Sequence, residues 1–206
     1  MSAGDAAFAR VDPPAPQASA IDPWQALTEL RLHLAASGAL VAKFRQTFVP
    51  AGFATGDEES GRVALALPDC LRWDYLDPYP KSYLLCGSRL HTWAAGEPQG
   101  ERLHVEARDE AGLDLLLLPV DELRGRYTAA ARPAGGGTIA VQLVPTATDS
   151  RIIQAELAFD LASQRPTNLS YRDRDGNVST FRFETFELLD DDRLFTPPTT
   201  LIWKEP

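Results

Sequence analysis

Residues 70–76, Cys70-Leu71-Arg72-Trp73-Asp74-Tyr75-Leu76, set large apolar side chains at Leu71, Trp73 and Tyr75 against polar ones at Arg72 and Asp74. A strand points successive side chains to opposite faces, so this spacing is that of a half-buried antiparallel strand. The same period returns where Ile153, Leu157 and Phe159 alternate with Gln154, Glu156 and Asp160, and where Phe181 and Phe183 alternate with Arg182 and Glu184. Such repetition predicts one large sheet with a very apolar face. That face needs a cover, and whether the cover is protein alone or partly ligand decides the function.

Working outward, Gly and Pro divide the chain at Pro50 to Gly56, Pro68, Asp77 to Pro80 and Gly87. Strands are predicted over 39–49, 59–67, 70–76, 81–86 and 89–95, and again over 126–132, 138–144, 151–160, 167–173 and 178–188. Turns fall at Gly135 to Gly137 and Asp175-Gly176-Asn177. A helix opens the folded part: Asp22 caps, Pro23 suits the first helical position, Gln25 completes a capping-box-like pattern and Gly38 terminates. Trp24, Leu27, Leu30 and Leu34 recur at helical spacing, so one face lies on something apolar. The stretch from Glu101 to Leu123 breaks the strand rhythm. Its run of Leu113, Leu115, Leu116, Leu117 and Leu118, followed by Pro119 and Asp121 to Arg124, reads as one or two helical pieces lying on the sheet. The expected architecture is α+β, with about ten or eleven strands and helices on one face.

At 206 residues the chain suits a single domain, expected over 22–206 behind a flexible Ala/Pro-rich lead at 1–21. A net charge of -9 and a pI near 4.8 argue against nucleic acid and against docking on an anionic membrane, since both would repel it. No stretch approaches the roughly 18–20 apolar residues of a membrane-spanning helix. Ala18-Ser19-Ala20 has the small-residue form of a signal-peptidase site, but no basic segment or apolar core precedes it. As given, the chain carries no export signal; a trimmed chain, a misplaced start and a protein that stays inside all fit.

Catalytic signatures do not emerge. His33, His91 and His104 stand in no metal-ligand spacing, and no nucleophile elbow, phosphate loop or dinucleotide fingerprint occurs. His33 reads as a partly exposed structural residue, and Asp190-Asp191-Asp192 beside Arg193 as a solvated turn. No catalytic residue, metal or cofactor is expected. Cys70 and Cys86 lie equally far from Pro78, so a hairpin centred there makes them cross-strand neighbours. They are then either a disulfide, which implies an oxidising compartment, or two independent half-buried thiols.

Several segments, in order and spacing, resemble the periplasmic outer-membrane lipoprotein carrier family, LolA. Phe44-Arg45-Gln46 is similar to that family's F-x-Q on the first strand, and Gly61 through Tyr75 to its Gly, Pro and Trp-bearing strand. Pro78, Gly87 and Leu90 follow suit, as do Asp173 to Phe183 and Leu194-Phe195-Thr196-Pro197-Pro198. The resemblance runs from about Leu27 to Pro198. It implies a strongly curved antiparallel sheet, an incomplete barrel, with helices as a lid over an apolar cavity. It also implies a soluble periplasmic monomer that carries lipoprotein acyl chains from an inner-membrane, ATP-driven releasing complex to an outer-membrane acceptor.

Parity then names a lining. Leu71, Trp73 and Tyr75 share one face; Val63, Leu65 and Leu67 join them across the preceding turn, and Tyr83 and Leu85 across the hairpin. Phe44 and Phe48 come from the first strand, and Val141, Leu143, Ile153, Leu157, Phe159, Phe181 and Phe183 from the later ones. Leu113, Leu116 and Leu117 belong to the lid. Any one of these also reads as plain core, so the inference concerns the set. In the family pattern an Arg stands before the proline that introduces the Trp strand and latches the lid through hydrogen bonds. Here that residue is Leu67, before Pro68, and an isobutyl group replaces none of a guanidinium's five donors. Leu71 likewise stands where the family often has Phe. These departures keep two other readings open: a carrier of another lipid or hydrophobic product, and a sensor or interaction module without cargo.

Overall fold

The structure, a computed structural model, describes residues 21–104, 115, 118–190 and 192–205. Nearly all of the expected lead falls outside them, as do Leu113, Leu116, Leu117 and Asp191.

Helix α1 spans Pro23–Ala36. Asp22 caps it, its Oδ1 accepting from the main-chain N–H groups of Trp24 (2.8 Å) and Gln25 (3.1 Å), two donors that a helix start leaves without partners. Gln25 does not close a capping box. Its side-chain amide instead donates to Glu29 Oε1 at 2.9 Å, one turn along the same face. The helix ends at Ser37, followed by Gly38 in the left-handed region at φ +76°. Leu27, Leu30 and Leu34 are buried toward the sheet. Each such leucine contributes roughly 1.5–3 kcal/mol by leaving water.

The strands before the second helix are β1 (Leu40–Val49), β2 (Asp57–Ala66), β3 (Cys70–Asp77), β4 (Lys81–Cys86), β5 (Arg89–Ala94) and β6 (Gln99–His104). Helix α2 (Val120–Arg126) leads into β7 (Tyr127–Gly135), β8 (Thr138–Pro145), β9 (Ile152–Asp160), β10 (Arg165–Asp173), β11 (Val178–Phe183) and the two-residue β12 (Glu187–Leu188). A 3-10 turn at Asp192–Phe195 and a short β13 (Ile202–Lys204) close the chain. The sheet order is β13-β6-β5-β4-β3-β2-β1-β11-β10-β9-β8-β7, with β12 paired to the start of β1. Among the described residues every pairing is antiparallel except β13 with β6. The two edges, β13 and β7, do not pair with each other, so the curved sheet stays open.

Two departures from the sequence reading have local causes. The stretch from Glu101, expected to leave the strand rhythm, begins inside β6; its polar residues are held by the ladder that the β5 edge offers, as in Thr92 opposite Glu101 and His91 opposite Arg102. The segment 178–188 is not one strand: it breaks after Phe183, and β12 then pairs with Leu40 and Val41. Near the end, Asp192 to Phe195 form a 3-10 turn; Asp190 and Arg193 are exposed, as the sequence reading has them, while the Leu194 carbonyl accepts from Arg72 on β3.

Curvature has a marker at Gly61. The β2–β3 register shifts between Ser60 and Gly61, and a Cβ on Gly61 would lie 1.9 Å from the carbonyl oxygen of Asp74. Only glycine lets the two backbones approach this closely. In the β3–β4 hairpin, Cys70 sits opposite Cys86; the two are joined by a disulfide, with Cα atoms 4.2 Å apart.

One face of the sheet is covered along its length, the other only in part. On its concave side α1, Leu115, Leu118 and α2 complete one contiguous apolar cluster with β1, β3 and β8–β11. On the outer side the C-terminal tail crosses β3 to β6. Arg72 donates to the Leu194 carbonyl at 2.7 Å, and the Trp203 ring packs on His91 and Trp93. Trp203 comes so near β6 that a Cβ on Gly100 would lie 2.5 Å from its ring.

Candidate functional site

The inner end of the concave face is an aromatic assembly built by register. Phe44 on β1 lies between Gly61 and Phe183, and Trp73 on β3 lies between Val63 and Tyr83. Because Gly61 presents no side chain, the rings of Phe44 and Tyr75 meet across it at 5.1 Å, edge to face. Trp73 packs on Phe44 at 4.8 Å and on Phe181 at 5.0 Å, and Tyr83 extends the array from Tyr75 at 5.9 Å. Such pairs add about 0.5–1.5 kcal/mol each beyond their area.

Two polar features interrupt the apolar surface. The Tyr75 hydroxyl donates to Gln46 Oε1 at 2.7 Å, which gives the buried Gln46 of the Phe44-Arg45-Gln46 segment its partner. Burial, and secondarily the charge of Glu59, push the Tyr75 phenol far above its ordinary range, so it stays neutral and keeps its proton to donate. The second feature is Trp73 Nε1. It is buried among the rings and has no hydrogen-bond partner among the described residues. An unpaired buried donor costs about 1–3 kcal/mol.

Polar contacts tie down the covering helices. Arg31 on α1 donates through Nη2 to the main-chain carbonyl of Leu115, and the Arg124 guanidinium lies 5.6 Å from the Trp24 ring. Arg165 on β10 donates to Ser37 Oγ at 2.9 Å, at the other end of α1. Between α1, α2 and the β2–β3 turn a cleft of about 360 Å³ opens, lined by Thr28, Leu32, Ala35, Leu67, Pro68 and Val120 with Arg31 and Asp121 at its polar edges. Leu32 is 66% exposed at its lip.

Of the lining read from parity, Phe44, Val63, Leu65, Leu71, Trp73, Val141, Leu143, Leu157, Phe159 and Phe181 lie in the buried cluster, with Leu67, Tyr75, Tyr83 and Phe183 at its margin. Leu85 is buried between Leu71 and Leu90 in the ladder. Two of the residues stand outside the cluster and are exposed. Ile153 is 46% exposed and Ile152 is buried in its place, because the β9–β10 register shifts at Arg172/Asp173 and reverses the parity of the strand start. Phe48 has the parity of Phe44 but is 36% exposed, since it lies near the end of β1, opposite Asp57 and Ser179. Leu113, Leu116 and Leu117 lie outside the described residues.

Sequence reasoning missed Leu169, Phe186 and Ile139, which are buried in the same cluster. Leu169 and Ile139 were legible by parity, being opposite Leu157 or Phe181 and Phe159. Phe186 lies in the break between β11 and β12 and obeys no period. Among the described residues no three His, Cys, Asp or Glu side chains gather in a way that would hold a metal ion, and no helix is long and apolar enough to cross a membrane. His33 is exposed in the last turn of α1.

Residues 36–197 match the family described as outer membrane lipoprotein carrier protein LolA. The chain belongs to the LolA family. The LolA-like fold is also that of an uncharacterized conserved protein from Thermus thermophilus, 12% identical, with a TM-score of 0.57 over 88% of this chain and 98% of that one. A LolA superfamily protein from Nitrosomonas europaea is 12% identical, with a TM-score of 0.46 over 84% and 97% of the two chains. A chain of the Pseudomonas aeruginosa MucA/MucB complex is 12% identical, with a TM-score of 0.47 over 87% of this chain and 62% of that one. No curated protein matches the sequence. With family and fold in place, this LolA-family chain is of a carrier or binding kind.

Proposed function

We propose that this LolA-family protein is a periplasmic monomer that holds lipoprotein acyl chains against the concave face of its sheet and delivers them from an inner-membrane releasing complex to an outer-membrane acceptor. In this reading α1, Leu115, Leu118 and α2 belong to a lid, closed here on the aromatic assembly. Opening it exposes the hydrocarbon-binding surface, and the cleft beside Leu67 and Pro68 marks where the lid parts from the sheet.

The observation that carries the proposal is Trp73 Nε1, a buried donor without a partner among the described residues, at the centre of an apolar surface. An acylated cargo brings both what that surface takes and what that donor lacks: methylenes and an ester or amide carbonyl. Sheltering one chain of about sixteen carbons is worth on the order of 12 kcal/mol. That is of the same order as the lid's own apolar contacts, so cargo and lid compete for the surface. Arg31, bonded to the Leu115 carbonyl, takes the latch role that the family pattern gives to an Arg at the place of Leu67. The Cys70–Cys86 disulfide suits an oxidising compartment such as the periplasm.

A second reading, an interaction module without cargo, is favoured by one observation: Val63, Leu71, Val141 and Phe159 are fully buried against the protein's own side chains. A carrier of another lipid shares the site and differs only in cargo. Protein purified from its native host, extracted with organic solvent and examined by mass spectrometry, separates these readings. Diacylglyceryl-modified peptide in the extract supports the lipoprotein carrier, another lipid supports the related carrier, and an empty extract combined with no uptake of an apolar fluorophore supports the module.

A further inference from the structure

The outer face of the sheet carries a second recess, on the side away from α1 and independent of the acyl-chain reading. It measures about 530 Å³, within the range of small-molecule sites. Its floor is one convex-side row of the ladder, Leu84 opposite His91 and His91 opposite Arg102; Arg89 stands two residues from His91 on the same strand face. The tail supplies the rim, with Phe195 and Pro197.

Three features make this recess electropositive. Among the described residues two guanidinium groups line it and no carboxylate does. The nearest acid on Arg102 is Glu205 at 3.1 Å, which occupies one end of the guanidinium and leaves the buried Nε without a partner among the described residues. Asp74, on the adjoining row, is already engaged by Arg72 at 2.9 Å and Ser82 at 2.7 Å. His91 is only 6% exposed, with its ring edge-on to Trp203 at 4.9 Å, and its Nδ1 also has no partner among the described residues. In a chain of net charge -9, a site that among the described residues has two arginines, an unpartnered imidazole nitrogen and no lining acid runs against the general field.

We infer that this recess binds a phosphate group attached to a small organic moiety, with Arg89 and Arg102 pairing the oxyanion, His91 Nδ1 completing its hydrogen bonds, and Leu84, Phe195 and Pro197 contacting the carbon skeleton. Guanidinium forks match phosphate geometry; Arg89 brings one to the recess, and Arg102, shared with Glu205, keeps its Nε for the anion. The apolar half of the lining favours an ester over the bare ion. Burial, together with the charges of Arg102 and Arg89, lowers the His91 pKa, so an arriving anion relieves that repulsion and draws a proton onto the ring. A phospholipid headgroup and a soluble phosphate ester share this chemistry.

The test follows the His91 imidazole resonances of the whole chain by NMR while glycerol 3-phosphate is added at constant ionic strength. A saturable shift, with the His91 pKa raised in the bound state, is expected. Arg89 is exposed and outside the core, so Arg89→Gln should fold normally and weaken binding by about tenfold or more. Flotation with phosphatidylglycerol vesicles against phosphatidylcholine vesicles identifies the source. Retention on the former alone, lost in Arg89→Gln, assigns the site to a headgroup, whereas glycerol 3-phosphate binding without flotation assigns it to a soluble ester. A His91 signal that moves no more with glycerol 3-phosphate than with chloride, or an Arg89→Gln variant that binds as tightly as the parent, overturns the inference.

Discussion

Arg31 and Leu115 are 84 residues apart in sequence, yet the guanidinium of the first donates to the main-chain carbonyl of the second, joining α1 to the segment that precedes α2. A charged donor on a carbonyl is worth about 1.5–3 kcal/mol, comparable to burying one leucine. The bond crosses between the two halves of the proposed lid. Arg31→Ala is therefore expected to speed the uptake of an apolar fluorophore while lowering unfolding stability by no more than about 3 kcal/mol. Stopped-flow fluorescence and denaturant titration check the two parts; uptake at the parent rate argues that the lid opens elsewhere.

Trp73→Phe keeps a ring in the aromatic assembly and removes an N–H that has no partner among the described residues. The free protein then loses a buried donor that no described residue satisfies. Affinity for a cargo bearing an ester carbonyl should fall by about tenfold relative to affinity for a hydrocarbon of equal length, the worth of one hydrogen bond. Competition of the two ligands for one fluorophore, measured on parent and variant, gives the ratio directly. An unchanged ratio would mean that the indole nitrogen meets no cargo.

Leu67→Arg tests the missing family latch. Leu67 is half-buried and lines an open cleft that Asp121 also lines, so a guanidinium there reaches water and a carboxylate. Stability is expected to change by no more than about 1 kcal/mol. Fluorophore loading should slow as α2 gains a tie to the β2–β3 turn. Gross unfolding of the variant would instead place Leu67 in a sealed core.

The outer face supplies a pH dependence. His91 is held below its ordinary pKa by burial and then by Arg102 from β6 and Arg89 on its own strand; Leu84 from β4 and Trp203 from the tail add no charge, and Glu205 sits behind Arg102. A histidine with a lowered folded pKa binds fewer protons in the native state than in the unfolded one. Its contribution is present above the unfolded pKa of about 6.5 and is lost as pH falls below that value. Denaturant midpoints measured from pH 8 to pH 5 should decline for the parent below about 6.5. The decline should be shallower for His91→Gln.

How much of this was legible depended on whether position alone decides a side chain's environment. In β3 it does: Leu71, Trp73 and Tyr75 face inward because neighbours on both sides hold the strand flat, and parity carries across the ladder to Val63 and Tyr83. It fails where the ladder slips, as at Ile153, and where cover runs out, as at Phe48. Strands β6 and β13 have no period to read; they exist because an edge offers hydrogen bonds and, for β13, because Gly100 leaves room for Trp203. The Arg31–Leu115 tie and the outer recess are long-range products of packing. No local pattern announces them.

The central claim is that the concave face takes up acyl chains. Native mass spectrometry of the protein after incubation with a synthetic triacylated peptide in detergent micelles tests it most directly, with Arg31→Ala beside the parent. The account predicts a one-to-one complex in both, formed faster by Arg31→Ala and displaced by the apolar fluorophore. Protein that remains at its unliganded mass in both samples, while the peptide stays in the micelles, would contradict it.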